Sequence, residues 1–476
     1  MKKSLVAQAL GISMAFGAVH TASAVWWKDY TDDHDINNTK NWYGAAEWTP
    51  EQAAELWPTT SITFETEREP LGGWTADPYT AVLSGALAVQ NIETGHDNAR
   101  VTLDLNGHTL TTTHSDWGFF IKQLNAQVDI VGGTLSVTGK VCVGYEKGEN
   151  STLRIAPDAV LLARTIGVGN SNDWSTHGGN TLEVDGGKML IENGWGFAVG
   201  ENPGEDGGSL YIHNGGVVSN FCNSAAIGQK SANNSLIVTD GGEFYTTSFS
   251  KLGSAEWDWN TRPTNNLIKA ENGGLIHLGS GFYISDGTNP DPPARNIVWA
   301  GDNGRVTVGG DVNINGSETL LVVSNGYFFC NSLHGKNTDY RGTRLLCAGA
   351  NPVFETLFYF EYGAESTFHF DVPTGGYTDS PILCRGNCEI FEDTEMTFDV
   401  SKVFKGTELT KLTVPLMYAG NTITVPDDDG ERTKLKALVE KWSAGLPQTA
   451  RLILSEDYRT LSLELKKKRG MVVMVR

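Results

Sequence analysis

The sequence lacks most of the features that would assign it a chemistry. Beyond residue 24 no stretch approaches eighteen consecutive apolar residues, so no membrane-spanning helix is expected. No HExxH, GxSxG, P-loop or zinc-ligand spacing occurs, which leaves no cofactor and no resident metal to expect. Charge is sparse, at 19% of 476 residues, and cations are sparser still: 36 Lys and Arg stand against 56 Asp and Glu, a net charge of −20. Such a surface repels nucleic acid and polyanionic glycans at long range, so neutral or cationic partners are favoured. Nothing in the sequence establishes a catalytic site.

What is present begins with a leader. Lys2 and Lys3 precede an apolar stretch from Leu5 to Val19 that ends in Ala22-Ser23-Ala24. This is the pattern of a cleavable secretory signal, expected over 1–24, with the mature chain starting near Val25 and secreted or held at the cell surface. No Cys follows the cleavage point to take a lipid. In an exported chain the six cysteines invite a disulfide reading, and only Cys384 and Cys388, in CRGNC, are close enough in sequence to suggest a pair. The other four lie in apolar strand patterns, where a small buried thiol is the commoner case.

Glycine is the abundant residue, at 55 copies, and it recurs in register. The double glycines align VDIVGGTLSV at Gly132, TLEVDGGKMLI at Gly186, LYIHNGGVVS at Gly215, LIVTDGGEFY at Gly241 and KAENGGLIHL at Gly273. From Gly186 the steps are 29, 26 and 32 residues, and the skipped rung before it is TLRIAPDAVLLA. Each unit carries a second apolar patch closed by glycine: VCVG, IGVG, FAVG, AAIG and SKLG. One unit therefore reads strand, Asx-Gly-Gly turn, strand, variable piece, strand, glycine, loop. Repeats of this length, built of short alternating strands, are coils of a solenoid rather than whole domains. The expected fold is all-β, a single-stranded parallel β-helix (β-solenoid) of about eleven rungs. With stacked strands about 4.8 Å apart, that makes a rod on the order of 50 Å long.

The h-x-h-x-[DN]-G-G-x-h units with trailing h-x-h-G, and the segment KNWYGAAEWTPEQAAELWPTTSITFET before them, resemble the strand repeats of autotransporter passengers and adhesin-like exported proteins. That resemblance, over about residues 40 to 400, implies a right-handed parallel β-helix. It carries little about function, since such proteins include adhesins and scaffolds. The end of the chain departs from it, having no series of amphipathic strands with aromatic girdles to build a translocator barrel. The expected organisation is a signal at 1–24, an N-terminal cap at 25–100, the β-helix at 101–400 and a C-terminal cap at 401–476. In that last segment TKLKALVEKWS places Leu435, Leu438, Val439 and Trp442 on one helical face, behind the turn Asp427-Asp428-Asp429-Gly430. ARLILS and TLSLELK read as a hairpin.

The loops after the third strand vary most, and in one solenoid they project from one face. Trp174 lies 21 residues after Leu153 and Trp257 lies 21 after Leu236, which places both over the same face, three rungs or roughly 14 Å apart. With Trp259, and with Asp173 and Asp258 to accept hydroxyl hydrogen bonds, they suit a neutral polysaccharide or a cell-surface partner. The competing reading folds each Trp back over its own loop. Trp117 and Trp195, in matching repeat positions, read as structural. A polysaccharide lyase or glycoside hydrolase is the alternative function, and its residues are thin. Asn337-Thr338-Asp339 is an isolated match to solenoid pectinases, Arg154, Lys188 and Arg305 stand singly, and Asp32-Asp33-His34-Asp35 reads better as a solvated turn than as a metal site.

Overall fold

The computed structural model describes residues 24–28, 30–64, 78–169, 178–192, 194, 196–254, 263–285, 294–335, 342–363, 365–430 and 432–467. They form an all-β parallel solenoid of about eleven turns. Alternation within each strand sets its inside and outside, because successive side chains point to opposite faces. In Ser209–His213, Leu210 and Ile212 face in while Tyr211 and His213 face out. Strand pairing then stacks like on like. Leu153, Leu182, Leu210, Leu236 and Ile268 are successive partners, as are Ile155, Val184, Ile212, Val238 and Ala270. Leu182, Val184, Leu210, Ile212, Leu236 and Val238 are each at most 1% exposed. Each such aliphatic burial is worth about 1.5–3 kcal/mol over exposure, and the ladder repeats it along the rod.

Every coil has three faces. The first is a 13-stranded parallel sheet from Tyr79–Val82 to Glu395–Asp399. The second and third merge into one 27-stranded sheet, because strands such as Thr134–Val143 and Tyr327–His334 bend across the corner between them and pair with a different neighbour on each side. Between the first and second faces sits the Asx-Gly-Gly turn, and its two glycines have different jobs. Gly215 takes φ +75°, a left-handed conformation that costs glycine nothing. A Cβ on Gly216 would overlap the Val184 carbonyl of the coil beside it.

Both ends of the rod are covered. At the N-terminal end the strand Val25–Trp27 pairs in parallel with Ile62–Phe64, and a knot of tryptophans closes the core: Trp27, Trp42 and Trp57 pack edge to face at 5.0 and 5.8 Å between centroids. Trp42 Nε1 donates to Ile36 O at 2.8 Å, which satisfies that buried indole N–H. At the other end the helix Thr433–Ala444 buries Leu435, Leu438, Val439 and Trp442, the face its spacing predicts. Trp442 Nε1 donates to Thr394 O at 2.8 Å, tying the helix to the last coils. The carboxylates of Asp428 and Asp429 accept from the amides of Lys434 and Thr433, so the acidic run is a helix start. Ala450–Leu454 and Thr460–Lys466 form the expected hairpin.

One expectation is corrected. Cys384 and Cys388 are not bridged: all six cysteines are free and buried. The CRGNC segment wraps a solenoid corner, so Cys384 ends a strand on the second face while Cys388 belongs to one on the third. The Cys384 thiol donates to Asn387 O at 2.8 Å, and Cys388 Sγ lies 3.5 Å from Met417 Sδ. Burial pushes both thiols up, Cys388 furthest, which keeps them protonated and inert.

Candidate functional site

Trp174, Asp173, Trp257, Asp258 and Trp259 lie outside the described residues, as do Trp195 and Asn337-Thr338-Asp339. The roots of the two loops are described. Val168, Val199, Ile227 and Leu252 are successive partners on the third face, so Gly169 and Gly253, which leave them, are three rungs apart at one corner. The chain returns at Thr181 and Leu267, again three rungs apart through Ser209 and Ser235.

A buried ladder of asparagines fixes those returns. Asn180, Asn234, Asn266 and Asn296 are each fully buried just before a first-face strand. Asn180 Oδ1 accepts from Ser151 N at 3.0 Å, Asn266 Oδ1 from Asn234 N at 2.9 Å and Asn296 Oδ1 from Asn266 N at 2.9 Å. Their amides continue the chain, Asn234 to Asn266 and Asn266 to Asn296 at 3.2 Å each. Gly144, Gly200, Gly228 and Gly253, each closing a third strand, make room for these asparagines, while Gly169 faces Glu205. Gly228 sits at φ +68°, and a Cβ there would overlap the Asn266 side chain. Backbone amides at a corner are thereby satisfied by side chains, so the loop above is free to be long.

A charged cluster stands elsewhere, on the outer side of the first face. Arg154 and Glu183 are lateral neighbours on adjacent strands, followed by Tyr211, and Asp185 stands beside His213 in the parallel row. The Arg154 guanidinium donates to Asp185, Asn214 Nδ2 donates to the other Asp185 oxygen at 2.7 Å, and His213 Nε2 lies 2.8 Å from Glu183 Oε1. Tyr211 stacks on His213 at 4.4 Å. The hydrogen bond from Asn214, and then the Arg154 pairing, hold the Asp185 carboxyl below the usual carboxylate range against the opposing effect of burial. The pairing with Asp185 raises Arg154, and burial raises Tyr211, so at neutral pH the cluster holds an anion, a cation and a neutral phenol.

Glu183, Asp185 and His213 bring three metal-capable atoms within 4.8 Å of one another. A divalent cation there would have to displace Arg154, which already supplies the positive charge. Both oxygens of Asp185 are engaged, and the cluster is a closed network binding three consecutive coils rather than an open set of ligands. Reading the sequence linearly misses it, because its members come from LRI, LEVD and LYIHN, with the bonded pairs 29 to 31 residues apart. Stacking those repeats on their turns puts Arg154, Glu183 and Tyr211 in one column, so Arg154 does not stand singly.

Trp117 lies at the surface, 36% exposed, with its ring 5.3 Å from Phe120 and 5.6 Å from Tyr145. Asp33 accepts from Asn38 and Asn41 inside a polar turn. Among the described residues no helix is long and apolar enough to cross a membrane. Comparison with family models, curated proteins and solved structures gives no match to this chain.

Proposed function

We propose that the chain is an exported structural or adhesive β-solenoid that engages neutral glycans or a surface partner through its long-loop corner, using Trp174, Trp257 and Trp259 with Asp173 and Asp258. The observation that supports this reading is the common root of the two tryptophan-bearing loops: both leave and rejoin the rod at equivalent positions three rungs apart, over a buried asparagine ladder. A flat sugar ring needs aromatic faces held at fixed spacing, and a rigid rod with anchored loop bases supplies that spacing. Each stacking contact contributes on the order of 1–3 kcal/mol before ordering costs, so single sites bind weakly and display in many copies matters.

The test is a glycan array with the mature chain and with the triple variant Trp174→Ala/Trp257→Ala/Trp259→Ala. Binding is expected to disappear while the thermal transition stays in place. A variant that unfolds identifies the tryptophans as packing elements, and a folded variant that still binds moves the binding face elsewhere. A second reading, a glycan-degrading enzyme, draws on Arg154 standing in register with Glu183 and hydrogen-bonded to Asp185. It requires Arg154→Gln to abolish polysaccharide cleavage by a folded protein.

A further inference from the structure

At three consecutive coils the corner between the first and second faces lacks the double glycine, while Gly304 and Gly326 keep the close approach to the coil beside them. There the turns read Asp302-Asn303-Gly304, Asn325-Gly326 and Gly349-Ala350-Asn351, with no double glycine. Asp302, Asn303 and Asn325 all take left-handed φ, of 46°, 66° and 54°. Over these turns lies a dish of about 640 Å³, within the size range of small-ligand sites. Its lining includes Asp302, Asn303, Arg305, Tyr327, Asn351 and Val353.

The chemistry of this dish is the reverse of the Arg154 cluster. Arg305 is exposed, with its guanidinium 4.9 Å from the centroid of the Tyr327 ring on the neighbouring strand. It makes no ion pair among the described residues. The carboxylate of Glu355 is already engaged: Oε2 accepts from the Tyr327 hydroxyl at 2.9 Å and Oε1 from Arg385 Nε at 2.7 Å. That same hydrogen bond fixes the Tyr327 ring on which the guanidinium rests, so the planar fork of Arg305 is held in place with its donors unspent. Asp302, Asn303 and Asn351 are exposed, and their side chains make no hydrogen bonds among the described residues. The dish therefore offers one cation of bidentate geometry with no ion pair among the described residues, beside the open side chains of Asp302, Asn303 and Asn351.

We infer that this dish binds a single carboxylate-bearing sugar, a sugar acid, with its carboxylate on Arg305 and its hydroxyls on Asp302, Asn303 and Asn351. A planar guanidinium matches a carboxylate with two parallel hydrogen bonds, and side-chain amides both donate to and accept from hydroxyls. Asp302, acceptor-only when ionised, rejects a second carboxylate and takes hydroxyl donors instead. The net charge of −20 disfavours a polyanion, which selects one acidic residue or an end group over a continuous acidic chain. The site shares no residue with the long-loop corner and stands independently of the glycan reading given for it.

Isothermal titration of the mature chain with glucuronate, glucose and acetate tests this. Glucuronate is expected to bind at least tenfold more tightly than either glucose or acetate, because neither presents both halves of the recognition. Arg305→Gln is expected to weaken glucuronate at least tenfold, and Asp302→Ala to reduce the preference for glucuronate over acetate, each with an unchanged melting transition. Lys188→Gln, a cation on the second face, is expected to change nothing. Glucuronate binding no tighter than acetate, or undiminished in a folded Arg305→Gln protein, overturns the assignment. The Trp174/Trp257/Trp259 triple variant retains glucuronate binding if the two sites are separate, so failure of one reading is visible apart from the other.

Discussion

The solenoid turns its corners in two ways. Between the first and second faces the chain uses glycine, with a left-handed residue and then one whose missing Cβ lets backbone meet backbone, as at Gly215 and Gly216. Between the third and first faces it uses side chains, with Asn234, Asn266 and Asn296 buried in a hydrogen-bonded ladder and Asn180 buried against Ser151 N. A glycine turn satisfies its backbone only when it is short, whereas an asparagine carries its own donor and acceptor and pins the returning strand whatever the chain has done in between. Variable length therefore accumulates at the second kind of corner, where recognition residues can change without disturbing the rungs. Over the first kind a dish lies at Asp302, Asn325 and Asn351, where the double glycine is missing.

The largest effect comes from striking the rung that both corners share. Ile212→Asp puts a carboxylate into the stack between Val184 and Val238, with no partner to pair it. The cost is roughly 4–5 kcal/mol or more, or an uncharged carboxyl with a strongly raised pKa. Loss of soluble protein, or collapse of the cooperative melt, is the expected outcome. A variant with near-native stability means the interior is not continuous at that coil.

A smaller pair of effects separates the corners. Asn266→Ala strips the acceptor from Asn234 N–H and leaves it buried and unsatisfied, at about 2–3 kcal/mol. Gly273→Ala, at φ +79° with open space where its Cβ would go, costs only the left-handed strain of about 1–2 kcal/mol. Urea unfolding of the two variants ranks them. Equal losses would erase the proposed difference between a side-chain corner and a glycine corner.

The Arg154 network gives a pH signature that an open site does not have. Asp185 is held below the ordinary carboxylate range in the folded chain, so its contribution is fully present above the unfolded value of about 4. It is lost as pH falls through the lower folded value. Relative to Asp185→Asn, the wild type is expected to be more stable by about 1–2 kcal/mol throughout pH 5 to 8, with the gap closing below about pH 4. Melting curves across that range check it, and a gap that persists at pH 2 assigns the effect to packing instead of charge.

Much of this was legible in the sequence, for a physical reason. In a solenoid the inward rows repeat at nearly constant spacing, so Leu182, Leu210 and Leu236 announce their stacking through the double glycines that follow them. The trailing glycine of each coil was legible as a corner, but its second reason, room for the asparagine of a neighbouring coil, was not, since Gly228 and Asn266 are separated by a loop of variable length. The Arg154 cluster was hidden by the same arithmetic: side chains that touch are about thirty residues apart, and only column-wise reading unites them. Cys384 and Cys388 misled in the opposite direction. Close in sequence, they stand on different faces because a corner falls between them.

The smallest expected effect is the most informative about what the long loops are for. Residues 255–262 lie between Ser254, whose amide donates to Gly228 O, and the strand opening at Leu267, whose amide donates to Asn234 O. Both anchors belong to the rungs, and Asn266 is held from either side by Asn234 and Asn296. Replacing 255–262 with glycines and serines of equal number leaves every one of those bonds in place. Closure entropy depends mainly on loop length, which this exchange leaves unchanged, so stability is expected to stay within about 1 kcal/mol of wild type. If the loop is there for recognition, this exchange removes glycan binding while glucuronate binding at Arg305 persists. If instead the melting transition drops by several degrees, Trp257 and Trp259 were covering apolar surface, and the variable corner is a lid on the rod rather than a display.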